Sequence, residues 1–431
     1  MNKSFDLEKL AAILAETRGV TKIGLPKELE EVRDAARRAI DPIKPADASS
    51  QADAKFLFTA TRTDAGRNLP PYYLVYFLLV DLLGFRNLGR FEKLDWSVPI
   101  DLDGKAYLID HRKFGVGVFA RKAEDEEQKA QRIVSLIKKG VKAANPFFKW
   151  MAENAVRQSK INVSNVGSRL FERYVYFRDS FRAASTEAEA SKNEYNAKQK
   201  QRQFVFDIPL YSFNTSQTAS TSELITAFTY PWVLMARNAS WLALAAIDAF
   251  FAWTEHIFIH LAILQGKVTT GEEVAKLVAT DWNEKFKRAL DIGDGTTKHN
   301  FDELVTIRRQ LRNFMAHGAF GKESEAFSFH SKVGAVPVAL DRRPARAHFS
   351  LTPELAFEDT QALAAIERFV THLWSGTREP AKMYIQDSEL PLILPMASDG
   401  TYKAAMASTD DMRKFVDHLT KQFEAAANMD W

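Results

Sequence analysis

Cysteine is absent from the 431-residue sequence. Disulfides and thiolate metal centres are therefore excluded. A strong excess of either charge is missing too: 58 Lys and Arg face 55 Asp and Glu, for a net charge of +3. The field of the whole molecule thus points to no class of partner. Met1 to Lys9 is polar and charged, without the apolar core of a secretory signal, so a cytoplasmic location is expected. The three Asn-x-Ser/Thr triplets beginning at Asn162, Asn214 and Asn238 then read as chance matches. A charge-free apolar run of spanning length is also lacking. The richest stretch, Trp232 to Leu264, contains Arg237, Asp248, Glu255, His256 and His260, so it reads as a long buried helix and no membrane partner is expected. Phosphate-binding loops and Ser-nucleophile motifs do not occur, and Gly115-Val116-Gly117 lacks the third glycine of a dinucleotide fingerprint. No cofactor is expected.

What is present is apolar residues at 46% and charged residues at 26%, ordinary for soluble domains, and a length that suggests two of them. The expected fold is mainly α. Apolar runs at Ser97–Ile100, Ala106–Ile109 and Val116–Ala120, with Asp103-Gly104 between the first two, predict a small antiparallel sheet. Helices are expected over about 26–39, 72–85, 124–158 with a break at Asn145-Pro146, and 165–203. This N-terminal part, residues 1–205, is expected to be an α+β sensing or regulatory domain, open to a regulatory ligand or protein. A helical domain over 206–380 follows, then a tail over 381–431 ending in a helix.

The most informative stretch is Arg308-Arg309-Gln310-Leu311-Arg312-Asn313-Phe314-Met315-Ala316-His317-Gly318. Leu304, Ile307, Leu311 and Phe314 fall at i, i+3, i+7 and i+10, an apolar stripe along one helix face. At about 100° per residue, Arg309, Arg312, Asn313 and His317 occupy the arc away from it. Asn313 and His317 are four apart and share a face, and Gly318 offers a left-handed stop. Out of context, such residues also fit a solvated basic face with a capping histidine.

Arg312-Asn313-x3-His317 late in an amphipathic helix, inside an all-helical block of about 222–376, resembles the Arg-x4–6-His motif of the HEPN superfamily. The resemblance implies a C-terminal helical bundle that cuts RNA without a metal, acting as a toxin or anti-phage effector. It also implies a homodimer in which two motifs face one cleft. Arg312, Asn313 and His317 would then be catalytic. The histidine transfers the proton, the arginine forks onto phosphate oxygens, and the asparagine adds neutral hydrogen bonds. A Tyr two residues after the motif histidine, frequent in toxins controlled by a partner nucleotidyltransferase, is replaced by Ala319. The other readings are a non-catalytic module of this type that binds RNA, a nucleotide or a protein, and a purely structural helical protein.

Four further residues are expected to support the motif. Arg308 and Arg309 flank it and fit either RNA backbone or surface ion pairs. Arg237, Asp248 and Glu255 are separated by 11 and 7 residues, within about 20° of one another on an otherwise apolar helix. Such carboxylates need partners, so Asp248 or Glu255 is expected to meet an arginine of the motif helix and to orient Arg312. His256 and His260 have a spacing that can hold a metal, but Glu255 precedes the first instead of following it, so core histidines are the expectation.

Overall fold

Asp103 and Gly104 both adopt positive φ, 56° and 79°, the two-residue turn that their sequence predicts. They join β3 (Leu94–Leu102) to β4 (Lys105–Arg112) in the computed structural model. The structure describes residues 26–46, 56, 59–201, 231–317, 328–332, 334–337, 339–343, 346–350 and 359–429; in the helix ending at His317, side chains are described no further than Leu311. Residues 5–16, whose pattern predicts a short amphipathic helix, and 204–210, whose pattern predicts a strand, lie outside these residues. The chain is mainly α, with a five-stranded antiparallel sheet and three two-stranded ladders among the described residues. Packing divides it into a first unit, 1–161 with 270–272 and 414–431, and a second, 162–269 with 273–413.

In the first unit, β1 (Lys44–Pro45), β2 (Thr61–Arg62) and β5 (Gly115–Ala120) complete a five-stranded sheet in the order β1-β3-β4-β5-β2. Alternation sends Val98, Ile100, Tyr107, Ile109 and Val118 to one face. There they meet Ile40 of α1 (Glu30–Ile40), Leu78, and Ile133 and Ile137 of α3 (Glu127–Ala143). Leu94, Ala106, Leu108 and Phe119 pack on the other face with Phe56 and Ala60. Leu78 belongs to a helix that begins as α2 (Tyr72–Tyr76) and widens to π-helical turns over Phe77–Leu82. Pro146 in the first turn of α4 (Asn145–Arg157) accounts for the predicted break after α3. Gly140 lets α3 approach closely: a Cβ there would collide with the Ile40 side chain and press on Leu78.

The second unit is built on two long helices, α5 (Gly167–Gln201) and α6 (Pro231–Leu264), which pack along each other. Against α6 lie α7 (Trp282–Ala289), α8 (Gly295–His317) and α9 (Asp359–Leu373). Rings interlock at the centre: Phe258 with Trp282 at 5.6 Å, Phe286 with Phe369 at 5.6 Å, and Phe250 with Phe369 at 6.0 Å between centroids. Asp281 caps α7 by accepting the Glu284 N–H at 3.0 Å, and Asp294 caps α8 by accepting the Thr297 N–H at 2.8 Å. By length and composition α6 could cross a membrane, yet 56% of its most apolar window is buried inside the protein.

This division corrects the expected boundaries at 205 and 380. The chain changes unit at 161/162, so α5 belongs with α6. The tail is not separate either: Tyr384, Ile385, Leu390, Leu392 and Ile393 are buried, and β11 (Leu392–Ile393) pairs with β6 (Asn162–Val163). Asn165 secures the junction, donating to the carbonyls of Ile385 at 2.8 Å and Leu390 at 3.2 Å. Between α8 and α9 the described residues form two antiparallel ladders, β7–β8 (Ser328–Ser331 with Gly334–Pro337) and β9–β10 (Ala339–Arg343 with Arg346–Ser350).

Candidate functional site

The backbone of α8 is helical from Gly295 to His317, so all three motif residues stand on its last turns. Leu304, Ile307 and Leu311 are buried, which places the predicted stripe against the bundle. On the helical wheel the positions of Arg312, Asn313 and His317 then fall on the arc away from that stripe. The side chains of Arg312, Asn313 and His317, and the Gly318 stop, lie outside the described residues.

Arg308 sits about 80° from the centre of the stripe, at the border between core and polar arc. Its Nη2 donates to Glu255 Oε1 on α6 at 3.2 Å, and its guanidinium lies over the rings of Trp282 at 5.6 Å and Phe251 at 5.9 Å. The expected meeting between a carboxylate of α6 and an arginine of the motif helix therefore occurs at Arg308. Of its two readings, Arg308 adopts the ion pair. Asp248 is exposed on α6, and Arg309 is exposed on α8.

Glu255 also faces Lys285 Nζ at 3.7 Å, and that lysine is 8% exposed along its side chain. One half-exposed carboxylate thus neutralises two cations from two helices. This ties α6, α7 and α8 together one turn before Arg312. The Lys285 contact had no signal in the sequence. Lys285 stands between Trp282 and Phe286 in a short helix whose buried face is apolar, and its pairing crosses between helices.

The His256 and His260 ring centroids lie 4.0 Å apart, with the planes tilted by 34°. His256 Nε2 accepts the Val166 N–H at 3.1 Å. Burial, with the neighbouring His260 adding to it, pushes its pKa down to about 3. His260 places Nδ1 2.9 Å from the His256 carbonyl and Nε2 3.0 Å from the Ser164 carbonyl. Burial lowers its pKa as well, while these two carbonyls oppose the shift. The pair is thus taken up in backbone hydrogen bonds that hold residues 164–166 onto α6. Among the described residues, no three His, Cys, Asp or Glu side chains gather as a metal site.

A second histidine contact steadies the start of α8. The Thr297 hydroxyl lies 2.7 Å from Asp294 Oδ2 and 2.8 Å from His372 Nε2 on α9. Thr297 is buried, so this Asp-Thr-His line joins the start of α8 to the end of α9.

Compared with protein-family models, curated proteins and solved structures, the chain returns no match.

Proposed function

We propose that the second unit is a HEPN-type, metal-independent endoribonuclease that works as a homodimer. The observation that carries this reading is α8 itself: a helix with a buried underside that brings Arg312, Asn313 and His317 to its C-terminal turns. The Glu255 bridge supports it, because it fixes the rotation of α8 one turn before the motif.

In the proposed reaction the RNA 2′-oxygen attacks the adjacent phosphorus and the 5′-oxygen leaves, giving a 2′,3′-cyclic phosphate. His317 moves a proton at one of these oxygens. Arg312 balances charge on the pentacovalent transition state. A single chain offers one motif histidine, and a two-fold dimer supplies the second proton-transfer group. In this reading Asp248 and Arg309 face solvent as accessory groups for RNA, and Glu255 acts through Arg308. The biological setting that suits such an enzyme is a cytoplasmic toxin or anti-phage effector.

The test is incubation of the purified full-length chain with total RNA in EDTA. Cleavage with cyclic phosphate ends is expected, and His317→Ala and Arg312→Ala should each reduce it at least about 10²-fold. Ends bearing a 5′-phosphate, or full activity in His317→Ala, overturn the reading. RNA binding without cleavage would favour a non-catalytic module.

A further inference from the structure

One end of the first unit's sheet carries a concentration of exposed rings. Tyr72 and Tyr73 are each 46% exposed, Phe91 is 39% exposed and Phe114 is 86% exposed. They lie far apart in sequence but share this end. Phe91 bridges to Leu94 at the start of β3, and Leu94 pairs with Arg112 at the end of β4. Phe114 is in the turn that follows, and the Lys113 N–H donates to the Lys93 carbonyl at 3.3 Å. Tyr72 comes in from the start of α2 and stacks flat on His111 of β4, with centroids 4.1 Å apart and ring planes 1° from parallel.

The stack is braced from beneath. His111 Nδ1 lies 3.4 Å from Asp95, Asp95 pairs with Arg90 at 3.1 Å, and the Trp96 ring lies 5.9 Å from the imidazole. Hydrogen bonds with His111, and then the positive charge of Arg90, hold the Asp95 carboxyl below the usual carboxylate range. Asp95 therefore stays ionised and keeps the imidazole in place. Tyr73 stands at 87° to Tyr72, with centroids 5.6 Å apart. The outcome is a fixed aromatic corner whose Tyr72 ring already sits at stacking distance from one flat neighbour.

Charge surrounds this corner. Residues 86–95 and 110–114 contain Arg86, Arg90, Lys93, Arg112 and Lys113 against Glu92, Asp95 and Asp110. Arg90, Lys93 and Arg112 pair with these acids at 3.1, 3.3 and 2.6 Å, and Arg86 and Lys113 are the exposed cations outside these pairs. Aromatic rings interleaved with cations match a strand that exposes bases and carries a phosphate on every nucleotide. A lipid surface also attracts cations and aromatic rings, but an inserting face usually sets Leu and Trp beside Phe, and neither is among the exposed large hydrophobics at this end. Among the described residues, the large exposed aliphatics Met235, Val278 and Ile292 all lie in the second unit.

We infer that this end of the sheet binds single-stranded nucleic acid, with Tyr72 and Tyr73 stacking bases and Arg86 and Lys113 meeting the backbone. The inference does not rest on the cleavage proposed above. The test uses the full-length chain and fluorescence anisotropy with three labelled probes: a 2′-O-methylated single-stranded RNA, a single-stranded DNA and an RNA duplex. The methylated probe cannot be cut by 2′-oxygen attack, so binding is read apart from cleavage.

Single strands should bind in preference to the duplex. Tyr72→Ala/Tyr73→Ala should weaken single-strand binding about tenfold or more. Tyr72→Phe should keep it, and Lys113→Ala should lower the salt dependence by about one phosphate contact. Equal affinity of the wild type and the double alanine variant overturns the inference, provided both show the same circular dichroism. So does tighter binding to the duplex. Tyr-dependent binding to anionic phospholipid vesicles with no binding to any oligonucleotide overturns it as well, and assigns the face to a membrane surface.

Discussion

Removing the Glu255 carboxylate leaves Lys285 and Arg308 facing each other's charge across three helices. Lys285 is the more costly of the two, because its side chain is only 8% exposed while that of Arg308 is 25% exposed; Glu255 itself is 40% exposed. Breaking a buried pair by removing one partner costs about 3–5 kcal/mol. Solvent at Glu255 screens this, so Glu255→Ala should destabilise the second unit by about 2 kcal/mol. Glu255→Gln, which keeps one acceptor, should cost about 1 kcal/mol. If the stranded ammonium is the cause, adding Lys285→Met to Glu255→Ala should restore more than half of the loss. A chain of two units does not unfold as one step, so the measurement is amide hydrogen exchange over residues 282–311, which reports this bundle locally. Faster exchange throughout α7 and α8 is expected in Glu255→Ala, with recovery in the double variant. Unchanged protection in Glu255→Ala, or no recovery with Lys285→Met, would refute the bridge as the element that fixes α8.

Two further predictions concern the first unit. Burial raises the Asp81 carboxyl from 3.8 to about 6, and its buried Oδ2 has no hydrogen-bond partner among the described residues. The folded state therefore binds this proton more tightly than the unfolded chain. The site's contribution to stability falls as pH rises from about 4 to about 6 and stays low above that. Asp81→Asn should raise the melting temperature at about pH 8, by the equivalent of about 1–2 kcal/mol after allowance for solvent screening, with little gain at about pH 4. An equal gain at both pH values would contradict the burial argument. Gly140→Ala should destabilise the unit by about 1–2 kcal/mol, since overpacking against Ile40 outweighs the gain in helix propensity. Ile40→Leu, which removes the obstructing methyl, should recover part of that in urea denaturation, and a neutral Gly140→Ala would show that α1 and α3 yield freely.

The elements with a strong period were legible in the sequence. Short apolar runs marked β3, β4 and β5, Asp103-Gly104 marked the turn between β3 and β4, and the stripe of Leu304, Ile307 and Leu311 marked the buried side of α8. The edge strands β1 and β2 were not, because two residues each are too few to show a period. Assigning α5 to the first domain had a similar origin. Its later half is rich in Glu, Lys and Gln, so no apolar face announces that its partner is α6, in the same unit. At the candidate site, the wheel placed Arg308 on the border of the core, but its choice of Glu255 over solvent depends on Trp282 and Phe251 arriving from elsewhere. The exposure of Tyr72 and Tyr73 was hidden for a related reason. They begin an apolar run that reads as wholly buried, and only the end of the sheet shows which two rings stay outside.

The Asn165 junction has a consequence for how the protein is made. A ribosome delivers α5, α6 and the whole of α8 before it reaches Ile385 and Leu390, whose carbonyls Asn165 must find. During that interval the nascent chain already contains Arg312, Asn313 and His317 but not the segment that pins the 162–167 corner to the bundle. A message truncated just after α9 would encode every motif residue and still yield a bundle open at that corner. Synthesis order thus leaves the 162–167 corner unpinned until well after Arg312, Asn313 and His317 have been made.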